Sequence, residues 1–349
     1  MDVPITVIDF ADDRARCGRA IDGRPSAPDA ARTTGVRARG VGGETTRAVM
    51  RGRVERVDGL ECVLRRTLEG DLGWGEGSEG YACACERYDA SASTREGLTR
   101  MFFEEFNASG LAYLDGCACA LYACGKTSGV SVEVGESETE CACVIDGATA
   151  TATGRRVDAG GAAMDAALKA SVEKKQGIEL DDATATAIRR ALGKCASSRE
   201  EYEALARGCA TVECERETFT MPDGSVLKLT NELYECGEAL MPIVDELCES
   251  VQKCPPDARR LVLDGVFVHG VASKVSGFSA RLLNELMSAL PPSLAPIFAT
   301  IPDYMPETTW SHASWTGAAL VSKVVFSTNQ HISKSDYNEN GPPVSHRGR

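Results

Sequence analysis

The sequence has no apolar run near the ~18 residues of a membrane-spanning helix. Its opening Met1-Asp2-Val3-Pro4 lacks the basic-then-apolar order of a secretion signal, so an intracellular protein without membrane attachment is expected. It also lacks a cationic surplus: 38 Lys and Arg stand against 51 Asp and Glu, a net charge of −13. A dedicated nucleic-acid binder needs a basic face to displace counterions, so no direct sequence-specific DNA binding is expected. Histidine is scarce, and His269, His312, His331 and His346 form no pair at metal-ligand spacing. No Ser sits in a Gly-x-Ser-x-Gly elbow, which removes one route to a nucleophilic triad.

Two phosphate motifs are present in letters but not in context. Gly75-Glu-Gly-Ser-Glu-Gly80 matches the dinucleotide fingerprint, yet a strand rather than a helix is expected after it, and two glutamates inside the loop repel phosphate. Gly125-Lys-Thr127 resembles the end of a P-loop, but Ala120 stands where the first glycine is needed, and the order is helix, loop, strand.

What is present is a chain of 349 residues, long enough for about two domains, with 43% apolar and 26% charged residues, as in ordinary globular proteins. Charge is uneven: residues 1–70 contain no lysine and carry a surplus of +2, leaving −15 for the remainder. This balance leans towards protein partners. The 15 cysteines are an odd number for a disulfide framework and fit reduced intracellular thiols. Cys83/Cys85, Cys117/Cys119 and Cys141/Cys143 are separated by one residue, too close for the usual opening of a zinc site. On strands, such alternation puts both thiols on one face, and buried packing is favoured over metal binding.

Hydrophobic periodicity then orders the chain. Ile5–Phe10 is expected as a strand entering a turn, and 31–53, rich in Gly, Thr and Arg, as a loop or very small subdomain. Ser93-Thr-Arg-Glu96 reads as a capping box before Leu98, Met101, Phe102 and Phe106 on one helical face. Residues 110–124 read as helix and 130–134 as strand, with a turn at Asp146-Gly147. Helices are expected over 162–175, 181–194 and 278–290, a hairpin around Pro222-Asp-Gly224, and a buried strand at 260–264. Strands alternating with helices across two halves define an α/β protein.

A longer set of segments carries more. Trp315-Thr-Gly-Ala-Ala-Leu320, Val324-Val-Phe326, Asn329-Gln-His-Ile-Ser-Lys334 and Asp336-Tyr-Asn-Glu-Asn-Gly-Pro342 resemble the tail of the actin family. Phe102-Phe-Glu-Glu-Phe-Asn107, Leu121-Tyr-Ala-Cys-Gly-Lys-Thr-Ser-Gly129 and Pro222-Asp-Gly224 resemble family segments in the same order, so nearly the whole chain is covered. Within the family, Asp71–Gly80 and Pro302–Glu307 are most similar to a divergent plant-type actin-related protein.

The resemblance implies two ribonuclease-H-like lobes, in four subdomains, around a central nucleotide cleft. By alignment the outer lobe is 1–123 plus 313–349, with 31–52 as a reduced small subdomain; the inner lobe is 124–312, with 160–246 as the fourth subdomain. Asp9, Arg16, Glu133, Gly135, Glu136, Gly161 and Gly270 fall at a degenerate ATP cleft. There, Ala11-Asp12-Asp13 replace the small residues of the first phosphate loop, and carboxylates oppose phosphate. Glu133-Val-Gly-Glu136 lengthens the second loop's Asp-Ser-Gly-Asp, and Gly270-Val271 replaces a pair of glycines. The glutamine that orients water aligns with Gly116 and the neighbouring histidine with Glu140, so hydrolysis is not expected. Whether ATP or ADP is held as a structural ligand stays open. The resemblance implies a nuclear, non-catalytic subunit of a SWI/SNF-type chromatin remodeller, with room for a cytoplasmic pool. Its partners would be a helix of the motor subunit, seated beside Tyr122, Leu320, Val321, Val324 and Phe326, and a second actin-family subunit. The alternatives are a polymerising cytoskeletal ATP-binding protein and, last, a metal-binding protein using the cysteine pairs.

Overall fold

The computed structural model describes residues 4–11, 14–20, 37–39, 45–75, 80–207 and 216–346. Asp12, Asp13, Glu76–Glu79, much of 31–52 and the end of the tail lie outside them. In chain order, β1 (Ile5–Ala11) and β2 (Arg14–Arg19) precede four short strands, β3 (Arg37–Arg39), β4 (Thr45–Arg47), β5 (Val49–Met50) and β6 (Arg53–Val54). Then come α1 (Val57–Arg65), β7 (Tyr81–Glu86), α2 (Ala92–Arg100), β8 (Gly110–Asp115) and α3 (Gly116–Ala123). Strands β9 (Gly129–Val134), β10 (Thr139–Ile145), β11 (Ala148–Thr149) and β12 (Arg155–Val157) lead into α4 (Gly161–Gln176), α5 (Asp182–Leu192) and α6 (Arg199–Ala206). A hairpin, β13 (Glu217–Thr220) and β14 (Val226–Leu229), precedes α7 (Tyr234–Glu238), α8 (Ile243–Lys253) and α9 (Arg259–Leu263). The chain closes with β15 (Val266–His269), α10 (Phe278–Ala289), α11 (Ala313–Ser327), β16 (Ile332–Ser333) and α12 (Lys334–Asn340).

These elements form two compact units. The first comprises Met1–Ser128, Val144–Thr151 and Thr300–Arg349; the second comprises Gly129–Cys143 and Ala152–Ala299.

The first unit is built on a five-stranded sheet in the order β16-β8-β7-β1-β2. β1 runs antiparallel to β2 and parallel to β7, which is parallel to β8. Alternation divides its residues between two cores. Ile8, Phe10, Ala82, Ala84 and Leu111 pack with Phe102 and Leu98, whereas Val7, Cys83, Cys85 and Ala112 pack with Trp315 and Ala318. The indole of Trp315 donates to the Val7 carbonyl at 3.0 Å, tying α11 to the centre of the sheet.

In the second unit β9 lies between β10 and β15, with β15 parallel to β9 and β12 antiparallel to the start of β10. Val130, Val132 and Val134 are fully buried, as a central strand requires. Helix α4 ends at Gly177, whose φ of 69° is the left-handed stop that glycine supplies.

Three local expectations are corrected. Gly110–Asp115 is a strand and only Gly116–Ala123 is helical. Pairing with β7 and β16 sets the first half, and the Asp115 carboxylate, accepting from the Ala118 amide at 3.0 Å, starts the second. Arg259–Leu263 is a helical turn, not a strand: Leu261 is exposed between buried Val262 and exposed Arg260, and Arg260 reaches Asp264 at 2.9 Å across one turn. The buried strand of this region is β15. Helix α2 is capped by Ser91, whose hydroxyl accepts from the Thr94 amide, rather than by Ser93. Cys117 and Cys119 lie on α3, within the stretch expected to be helical, and both are buried; Cys83/Cys85 and Cys141/Cys143 are buried strand pairs.

Candidate functional site

The cleft positions are divided between the two units, and each set has its own geometry. In the first unit the β1–β2 ladder places Asp9 opposite Arg16. Arg16 Nη1 donates to Asp9 Oδ2 at 3.0 Å, and the carboxylate is almost completely buried. The ladder closes at Ala11 and Arg14, while Asp12 and Asp13 lie outside the described residues. Beside this pair sits His312, which the sequence reading did not single out. Burial, and next the positive charge of Arg16, push its imidazole down to about 4, so it is neutral at physiological pH. Burial first, with the Asp9 charge second, raises the Cys17 thiol to about 12 and makes it a packing group.

Gly116 opens α3, where an added Cβ would lie 3.1 Å from the Glu86 carbonyl. It has no side-chain amide to offer a water. Glu140, at the histidine's aligned position, is buried on β10.

In the second unit residues 135–138, which follow β9, form a tight connection to α4. Gly135 N donates to Glu138 O, Gly161 N donates to Gly135 O at 3.0 Å, and Ala162 N donates to Glu136 O at 2.7 Å. The Glu136 carboxylate folds back over the first residue of α4: a Cβ on Gly161 would lie 1.8 Å from Glu136 Oε2. Two guanidinium groups from α5 hold it, Arg189 Nη2 at 2.7 Å from Oε2 and Arg190 Nη2 at 2.7 Å from Oε1. Arg189, with a side chain only 2% exposed, also donates from Nε to Asp165 Oδ1 on α4 at 2.7 Å. Thr186 completes the cluster by donating to Asp165 Oδ2. Gly270, at φ 100°, packs against the chain itself: a Cβ would lie 2.5 Å from Val134 O, and Ala272 N donates to the same carbonyl. Glu133 faces His269 in the β9–β15 register.

Sequence reasoning thus found Glu136, Gly135 and Gly161 together but missed Asp165, Arg189 and Arg190. A neighbouring pair of arginines on a helix with Asp165 one helix earlier gives no spacing signal, since the contact spans 53 residues.

The third feature belongs to the first unit, where α3 and α11 pack side by side. Gly317 makes this possible: a Cβ there would lie 1.7 Å from the Cys119 carbonyl. Tyr122 is half-buried at the end of α3 and donates to the Gly147 carbonyl at 3.4 Å. Along α11, Leu320 is 46% and Val324 59% exposed, with Val321 half-buried between them. Phe326 is the exception among the expected groove residues. Only 6% exposed, it stacks on Tyr81 at 4.5 Å and meets His331 at 4.9 Å, so it anchors the helix and does not line a surface. Among the described residues no group of three His, Cys, Asp or Glu could hold a metal ion, and no helix is long and apolar enough to cross a membrane.

The sequence model of the family described as Actin matches residues 36–186 and 183–349, and the chain belongs to the actin family. It is similar to actin-related protein 7 of Oryza sativa subsp. indica and of subsp. japonica. Each is 31% identical over 318 residues, covering 87% of this chain and 86% of the relative. Actin-related protein 7 of Arabidopsis thaliana is 30% identical over 310 residues, covering 86% of this chain and 84% of that protein.

Proposed function

We propose that this chain is a non-catalytic, actin-related subunit of a nuclear chromatin-remodelling assembly of the SWI/SNF type, where it works as a platform for a helix of the motor subunit beside a second actin-family subunit. The observation that carries this reading is the apolar strip Leu320, Val321 and Val324 on α11, whose Val321 packs against the same core group as Tyr122. Large aliphatic side chains left exposed on an otherwise buried helix fit the apolar anchors of an amphipathic partner. Similarity to actin-related protein 7 over most of the chain supports the subtype. Platform duty needs no turnover of ATP, in keeping with Gly116, which has no side chain to orient an attacking water.

The test is capture from nuclear extract with the full chain as bait, followed by identification of partners. Wild type should retain a remodeller motor subunit. The double variant Leu320→Asp, Val324→Asp should lose at least ~30-fold in affinity for the motor helix, because charge replaces two anchors, while its melting temperature changes little, both positions being exposed. Full retention of the motor helix by the double variant would overturn the assignment, as would salt-induced filaments of the pure protein.

A further inference from the structure

The nucleotide that the actin family implies can be checked against the second unit, and the residues there do not fit it. The resemblance places Gly135, Glu136, Gly161 and Gly270 around ATP, yet each of these positions is engaged within the chain. The Gly135 and Glu136 carbonyls take the Gly161 and Ala162 amides. The space above Gly161 is filled by Glu136 Oε2, and the face of Gly270 that lacks a side chain abuts Val134. Arg189 and Arg190, from α5, both reach this same carboxylate, at 2.7 Å each.

We infer that Glu136 is an internal anion, locked by Arg189 and Arg190 over the start of α4, and that it takes the place of an external nucleotide in this unit. Reach matters as well as charge. A glutamate has one methylene more than the aspartate of the family pattern, and that extra length carries the carboxylate from the loop to α5 while its own backbone carbonyl remains bonded to Ala162. Asp165 anchors Arg189 from the other side, so the guanidinium is held in place before any ligand arrives. An incoming phosphate or ribose would have to displace a bidentate partner that is part of the chain and present at high effective concentration. This inference goes beyond the proposed partner: it concerns what the second unit refuses, whatever α11 of the first unit binds.

The experiment is calorimetric titration of Mg-ATP and of Mg-ADP into the full-length protein and two variants, with melting temperatures recorded in parallel. Wild type should show a dissociation constant weaker than about 1 mM. Glu136→Ala should bind at least about tenfold more tightly, since the internal anion is gone and Arg190 is released, while Arg189 stays on Asp165. Glu136→Asp keeps the charge and loses the reach, and should gain at least about threefold. Micromolar binding by wild type would overturn the inference outright. So would unchanged affinity in a variant that keeps its fold; if Glu136→Ala unfolds, Glu136→Asp decides. Capture of the motor helix by the same variants reports separately on the proposed function, which stands or falls without this lock.

Discussion

The two units hold their carboxylates, Asp9 and Glu136, in different ways. In the first, Asp9 is met by one arginine seven residues away, across a strand pair that already fixes both backbones. In the second, Glu136 is met by two arginines from a helix more than fifty residues further on, one of them shared with Asp165. The hairpin pair is a consequence of register. The clamp is a piece of tertiary structure in its own right, and its loss should be felt across α4, α5 and the β9 connection together.

The sharpest way to break this contrast is Arg189→Ala. It strands Glu136 and Asp165 without their shared cation in a site where that cation is almost wholly buried, a loss of about 3–5 kcal/mol. Urea unfolding measures it, and a loss below ~1 kcal/mol would show that the clamp is ornamental.

A somewhat smaller effect is expected from acid, through the first unit. His312 has its imidazole lowered from 6.5 to about 4 in the folded protein. The unfolded chain therefore binds the proton first, so this contribution is fully present above pH 6.5 and is lost as pH falls towards 4. At full extent it is about 3 kcal/mol. Stability curves of wild type and His312→Phe should converge in that window, and parallel curves would remove His312 from the account.

Smallest is Arg16→Ala. One ion pair is lost whose arginine is part-exposed and whose buried Asp9 has a further partner, for roughly 1–2 kcal/mol, and the same change removes a positive charge from beside His312. The imidazole pKa should move upward, measurable by NMR titration. If Arg16→Ala costs as much as Arg189→Ala, the two carboxylates are held alike after all.

How far the fold was legible follows the same contrast. Register and alternation are local properties, so Ile5–Phe10, Gly129–Val134, the Pro222-Asp-Gly224 hairpin and the Asp181-capped α5 could all be read from neighbours along the chain. Gly110–Asp115 could not: its small and apolar residues suit either state, and only β7 and β16 on its two sides make it a strand. Arg259–Leu263 misled for a related reason, since five residues are too few to separate a buried strand from a helical turn. At the candidate site, family resemblance located the loops while the partners of Glu136 stayed hidden, because nothing in linear spacing links a loop acid to a helix in another part of the unit. Phe326 shows the opposite error: an apolar residue at the end of a surface strip looks like part of the strip until Tyr81 is found stacked on it.

Gly317 has a mechanical consequence. With its Cα pressed on the Cys119 carbonyl, α11 is fixed in its second turn, and the Phe326–Tyr81 stack fixes it again near its end. Leu320, Val321 and Val324 lie between those two points, on a stretch of helix with little freedom left to lose. Ordering cost opposes every association, and a strip already held stiff enters a complex without incurring much of it. A bead-like methyl at position 317 would lift the helix off its support and turn the same three side chains into a loose surface, leaving their chemistry unchanged and their rigidity gone.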